Sequence, residues 1–291
     1  MVSAAFFQQI LNGVFDGSVY AIFAIGLSLI FGILEVANFA HGEFYMLGAF
    51  MMYIFYITLG TPYLLAVALG ILVMAGLGAV SERVFIHPVL ERGWQIPMIT
   101  TLAMSIIFQN LALAIWGADP RPAKTRYSTK VATIGPLYLS YQRVIVLAVA
   151  IACFVGLHLF VQKTKTGKAM RAVSQNREAC VVFGIDVEKI SMITFGIGAG
   201  LSGAAAALVS PIFTIAPIMG VRYLLKGFAV VITGGFGNVK GAVVAAYILG
   251  IGENFAAGYI AGEWRDAVAF GLMIIVLLFR PHGIFGRKVG I

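Results

Sequence analysis

Residues 36–46 read VANFAHGEFYM. Asn38, His41 and Glu43 interrupt a chain that is otherwise apolar, with AIFAIGLSLIFGIL (21–34) before them and FYMLGAFMMYIFYITL (44–59) after. A charged side chain at mid-bilayer costs on the order of 2.5–3.5 kcal/mol, so such groups face a protein interior or a water-filled path. The stretch therefore reads as an interruption in a membrane-embedded helix, with Gly42 letting the backbone bend and the freed N–H and C=O groups satisfied inside the protein. Asn38 and His41 are expected to hold the break by bonding backbone or each other.

The whole chain supports this solvent. Of 291 residues, 60% are apolar and 11% are charged, and the mean hydropathy is +0.97, a composition of polytopic membrane proteins. A hydrocarbon core of about 30 Å needs about 20 apolar residues per helix. Apolar runs bounded by charges or Pro/Gly place spans near 6–34, 43–60, 63–80, 97–117, 143–162, 190–209, 239–257 and 264–280. The fold class is an all-α polytopic membrane protein of about eight helices, in one transmembrane domain over 1–291. Its broken or re-entrant segments are expected near 35–43 and 221–240. The 34 glycines suit helices that associate by close backbone approach. MVSAAFFQQILNG has no basic residue ahead of its apolar stretch, so the first span is expected to be retained.

A net charge of +8 does not point to nucleic acid, because the basic residues lie between spans, where lipid headgroups and topology account for them. The segment 163–190 carries Lys163, Lys165, Lys168, Arg171, Arg177 and Lys189 and is assigned to the cytoplasm. Arg280, Arg287 and Lys288 near the C-terminus fall on the same side by span parity. The loop 118–142 is then periplasmic, although it holds Arg121, Lys124, Arg126 and Lys130. Its VATIGPLYLSY alternates around Gly-Pro and predicts a short hairpin.

Catalytic patterns are missing. QKTKTGKA has Gln162 where a P-loop needs its first Gly and Ala169 where it needs Ser or Thr. Gly198, Gly200 and Gly203 form GxGxxG inside an apolar run with no preceding strand, which reads as helix packing. His41, His87, His158 and His282 show no metal-site spacing, and Cys153 and Cys180 read as plain small residues. The polar residues at membrane depth are Asp16, Glu35, His41, Glu43, Lys226, Lys240 and Glu253. Glu35, Lys226 and Lys240 are expected to be interfacial and solvated. A second Gly-centred break, TGGFGNVKGA (233–242), parallels the first, with Asn238 matching Asn38. Paired breaks point to a central pathway lined by discontinuous helices, with Asn38, His41, Gly42, Glu43, Gly234, Gly235 and Asn238 along it.

Within 163–190, Met170, Val173, Arg177 and Cys180–Phe183 recur at helical spacing, giving a short interfacial helix with apolar and basic sides. Gly184 ends it and Asp186 caps the next span. REACVVFG here resembles the EAA-type coupling motif of ABC importer permeases, with Cys180 in place of the second Ala. The distal Ile-x-Leu-Pro is replaced by TFGI. ANFAHGE (37–43), Glu82-Arg83-Val84 to Pro88, TGGFGNVKGA and Pro281 to Gly286 are similar, in order, to landmarks of the branched-chain amino-acid branch. The resemblance implies a permease of the bacterial inner membrane with no catalytic residue, metal or cofactor of its own. It also implies a second homologous permease or a self-partner, two cytoplasmic ATP-binding subunits and a periplasmic solute-binding protein. Arg177, Glu178, Ala179, Cys180 and Gly184 would couple to the ATPase. Urea or short amides are alternative solutes to branched-chain or other amino acids. On residues alone, an ion-coupled secondary transporter or channel, with Asp16 or Glu43 as coupling carboxylate, is the rival reading.

Overall fold

The computed structural model describes residues 2–286; Arg287 and Lys288 lie outside them. Helix α1 (Val2–Leu34) is followed by α2 (His41–Tyr53), which runs into a π turn at Ile54–Thr58. Next come α3 (Tyr63–Ser81), prolonged through Glu82–Ile86 and His87–Val89, and α4 (Gln95–Trp116). A loop holds the single turn α5 (Arg126–Thr129) and the strands β1 (Val131–Ile134) and β2 (Leu137–Ser140). The rest is α6 (Tyr141–Lys163), α7 (Lys165–Val173), α8 (Arg177–Val182), α9 (Val187–Val209), α10 (Met219–Gly234), α11 (Val239–Tyr259) and α12 (Trp264–Phe279).

Six of these helical runs are long and apolar enough to cross a membrane: those at 4–34, 63–89, 95–116, 141–163, 187–209 and 239–259. The two further spans expected from the sequence correspond to α2, whose 13 residues are continued by the five of the π turn, and to α12, of 16 residues; both are helical, and neither is among the six. Apolar composition alone cannot separate a lipid-facing helix from a core one. Packing does so: α1, α2, α9 and α11 form the centre, whereas α4 and α6 turn most of their apolar surface outward.

Small residues make the centre possible. The GxGxxG of α9 sits where its helix meets three others: Gly198 packs against Gly26 and Ile30 of α1, Gly200 against Ile71 and Ala75 of α3, and Gly203 against Met74 of α3 and Gly48 of α2. The motif is thus a packing surface, as its place in an apolar run predicts.

The bundle has two distinct ends. At one, β1 and β2 pair antiparallel from Val131↔Ser140 to Ile134↔Leu137, the hairpin foreseen from VATIGPLYLSY. Gln8 of α1 braces it, accepting from the Tyr138 N–H at 2.9 Å and donating to its carbonyl at 3.1 Å. Arg121 and Ile215 exchange backbone hydrogen bonds of 2.8 and 2.9 Å at the same end. At the other end lie α7 and α8, because α6 starts beside the hairpin and runs the length of the bundle to α7.

Candidate functional site

The break at 35–40 is a re-entry. α1 ends at Leu34, Glu35 turns the chain with φ 57°, and the backbone returns into the interior, where Val36, Asn38 and Ala40 are buried. α2 then starts at the depth of Phe23, whose carbonyl lies 3.1 Å from His41 Nε2. Thr101 of α4 braces this backbone: its Oγ accepts from the Phe39 N–H at 3.1 Å, and its one O–H proton is shared between the Ala37 carbonyl at 3.1 Å and the Met98 carbonyl of its own helix at 2.8 Å. Ser202 of α9 donates to the His41 carbonyl at 2.8 Å, and Ser105 donates to Glu43 at 3.0 Å.

Two expectations are corrected here. The Asn38 side chain does not hold the break: neither its Oδ1 nor its Nδ2 has a hydrogen-bond partner among the described residues, and Asn38 contributes only its backbone carbonyl, which accepts from the His41 N–H at 3.3 Å. Gly42 does not bend the chain either, since it lies inside the first turn of α2. Its role is proximity, because a β-carbon there would collide with the carbonyl of Gly220, and one on Gly220 would collide with Gly42 in return. The starts of α2 and α10 therefore touch inside the bundle, α10 having been carried inward by the chain at 210–218.

The second break differs from the first. Within 221–240, expected to be broken or re-entrant, the residues to Gly234 belong to the short helix α10, which starts inside the bundle, and the interruption itself is Gly235–Asn238. Gly235 and Gly237 take φ of 105° and 72°, backbone that L-residues disfavour. Asn238 caps α11 by accepting from the Gly241 N–H at 3.0 Å and donates to the Phe285 carbonyl at 2.8 Å. Gly237 packs against Gly32 at the end of α1, so this turn stays at the α7–α8 end while the first break climbs inward. The structure brings His41, Gly42 and Glu43 together and leaves Gly234, Gly235 and Asn238 away from them.

A cluster that the sequence did not reveal lies in the hairpin-side half. Lys226 of α10, expected to be solvated, is 5% exposed. Its Nζ donates at 2.8 Å to both carboxylate oxygens of Glu253 on α11 and at 3.1 Å to the Tyr20 hydroxyl, and it lies 3.2 Å from Asp266 on α12. Asp266 also pairs with Arg222 at 3.5 Å. Asp16 accepts from Asn254 at 2.7 Å and from Arg265 at 3.4 Å. The cluster borders a cavity of about 420 Å³ whose lining includes the polar Asp16, Tyr20, Arg222, Lys226 and Arg265 and the apolar Val19, Val209, Ile218 and Met219. Phe213, Thr214, Ile218 and Arg222 form its exposed rim.

At the opposite end, the single helix expected in 163–190 is two helices. Thr164 caps α7 by accepting from Gly167 at 2.9 Å, and Asn176 caps α8 by accepting from Ala179 at 2.8 Å. Arg171 ties α7 to the Val161 carbonyl, while Met170, Val173 and Cys180 are buried. Gly184, with φ 75°, ends α8, and Asp186 caps α9 through the Lys189 N–H at 2.9 Å. Val181, Val182 and Phe183 stand 62%, 84% and 82% exposed, a projecting apolar tip next to Glu178.

The sequence matches the family described as branched-chain amino acid transport system / permease component over residues 9–277. The chain belongs to this family. The permease is 33% identical to the high-affinity branched-chain amino acid transport system permease protein BraD of Pseudomonas aeruginosa, over 97% of this chain and 96% of BraD. It is 32% identical to the protein LivH of the same designation from Escherichia coli, again over 97% and 96% of the two chains. The solved structure of PsaBC from Streptococcus pneumoniae in complex with Fab gives a TM-score of 0.49 at 13% identity, covering 94% of this chain and 92% of that one. The permease is a membrane subunit of an ABC importer, not an enzyme, and ATP hydrolysis sits on separate subunits.

Within the permease, Arg177, Glu178, Ala179, Cys180 and Gly184 all lie on or just after α8. Cys180 faces inward, so the surface open to a partner is Glu178 with Val181–Phe183. Those three apolar residues gave no signal in a chain where apolar residues are the rule.

Proposed function

We propose that this permease carries branched-chain amino acids across the bacterial inner membrane, paired with a second permease, homologous or identical. Two cytoplasmic ATP-binding subunits engage the α7–α8 end, and a periplasmic solute-binding protein delivers solute at the hairpin end. The observation that carries the reading is the apolar tip Val181–Phe183, held rigid between capped helices at the end opposite the hairpin. Exposed clustered apolar side chains next to a charge mark an interaction surface. Relatives named for branched-chain amino acid transport at about a third identity over nearly the full chain support the solute class.

In this scheme the tip grips the ATP-binding subunit differently with and without nucleotide, since only differential interaction shifts a conformational equilibrium. α9 transmits the motion: it starts beside the tip at Val187 and bonds the break through Ser202 and the His41 carbonyl. The test is uptake of leucine, isoleucine, valine and urea into proteoliposomes holding the whole complex. ATP-dependent uptake of the amino acids and not of urea is expected, and Phe183→Asp is expected to release the ATP-binding subunits while the permease still inserts. Uptake driven by an ion gradient without ATP refutes the reading.

A further inference from the structure

We infer that the cavity between α1, α10 and α12 is a way-station for the solute and receives it as a zwitterion: the α-ammonium on Asp16, the α-carboxylate on Arg222, and an aliphatic side chain against Val19, Val209 and Met219. This rests on the amino-acid importer reading above and extends it to a site.

Unused bonding capacity selects these two residues from the cluster. Lys226 is saturated, with Glu253, Tyr20 and Asp266 around its ammonium, so it forms the wall and has nothing left to donate. Arg265 gives two of its five N–H groups to Asp16 and Asn254, at 3.4 and 3.2 Å, and at 33% exposure is half as open as Arg222, so the cavity meets it already paired with Asp16. Both bonds to Asp16 land on Oδ2, and Oδ1 has no hydrogen bond among the described residues. Its side chain is 14% exposed and borders the cavity. Arg222 makes one contact, 3.5 Å to Asp266, and its side chain is 66% exposed, leaving guanidinium N–H groups for the paired bonds that a carboxylate accepts.

The apolar part of the lining suits an aliphatic group. Val19 and Val209 are 2% and 1% exposed, fixed by the core rather than free to fold over the opening. A volume near 420 Å³ falls at the small end of the about 300–1,000 Å³ typical of ligand sites. Charged side chains that keep exposure do not face hydrocarbon, so the rim at Arg222 and Asp266 meets water or a partner protein. A neutral solute such as urea carries no charge for either group and gains neither ion pair, which disfavours it against a zwitterion. Holding is also weak, as passage requires: a carboxylate on Arg222 displaces Asp266 rather than meeting a bare cation.

The test uses the complete complex in proteoliposomes, with Thr214→Cys placed on the rim and its maleimide labelling rate read at that residue by mass spectrometry. Leucine is expected to slow labelling, whereas urea, leucinamide (no carboxylate) and 4-methylpentanoate (no ammonium) leave it unchanged. Asp16→Asn and Arg222→Gln are each expected to raise the half-protecting leucine concentration about tenfold, as for loss of one charged hydrogen bond. Arg222 is exposed, so its variant tests the site even if Asp16→Asn fails to assemble. Equal protection by urea or by either truncated analogue, or an unchanged half-protecting concentration in Arg222→Gln, overturns the site. ATP-dependent leucine uptake by the unmodified complex is measured alongside: its absence refutes the importer reading, and its presence with no protection refutes only the way-station.

Discussion

Removing one member of the buried Lys226–Glu253 pair tests how the centre is held. The side chains are 7% and 0% exposed, and the ammonium sits 2.8 Å from both carboxylate oxygens. Taking one partner from a buried pair costs about 3–5 kcal/mol, since the survivor keeps its desolvation penalty. Glu253→Leu belongs at the low end, about 3 kcal/mol, because Asp266 remains 3.2 Å away and retains part of the attraction. Lys226→Met belongs at the high end, about 5 kcal/mol, because it leaves the Glu253 carboxylate with only the Tyr20 hydroxyl, 2.8 Å away. The double variant Lys226→Met/Glu253→Leu removes both charges of the pair and is expected to fall only about 1–2 kcal/mol below the parent, the remainder being the unpaired Tyr20 hydroxyl and Asp266 left to Arg222 alone. Reversible unfolding in mixed detergent micelles measures all four proteins as a double-mutant cycle. A double variant that loses the sum of the singles, or a Lys226→Met loss under about 1 kcal/mol, refutes the pairing.

Thr101→Val keeps the shape but leaves the Phe39 N–H and the Ala37 carbonyl without their shared partner; a loss of about 2 kcal/mol is expected by the same unfolding measurement. At Gly184 a β-carbon meets nothing within 4 Å, so Gly184→Leu carries only the left-handed backbone cost of roughly 1–2 kcal/mol; uptake is expected to drop while the complex still assembles. Exposed Glu178→Ala should uncouple in the same way with almost no change in stability, and unchanged uptake in both variants counts against a coupling role for α8. Tyr138 is 65% exposed on β2 and is held through its backbone. Tyr138→Asp is therefore expected to weaken stimulation of ATPase activity by the solute-binding protein without disturbing insertion, as read by titrating that protein against the complex.

What the sequence discloses here depends on how far apart the interacting groups are. The two breaks, the hairpin and the cap Asp186 are local: each is signalled by residues within a few positions, and a Gly, Asn or Asp in an apolar run has few readings. The charged cluster joins Asp16, Tyr20, Lys226, Glu253 and Asp266 across four helices, with Tyr20 and its acceptor Glu253 233 positions apart. No periodicity records that proximity. Lys226 illustrates the difference. One lysine between apolar neighbours fits an interfacial position as well as a buried one, and only the arrival of Glu253 from α11 decides between them. Asn38 and Thr101 show the reverse. The asparagine stands out in the sequence because it is polar among apolar neighbours, yet its side chain makes no hydrogen bond among the described residues. The threonine that secures the re-entry stands in a helix where Thr is unremarkable, 62 positions from the Phe39 N–H it accepts. In a membrane chain, polarity shows where backbone or charge needs a partner, and only packing shows which residue supplies it.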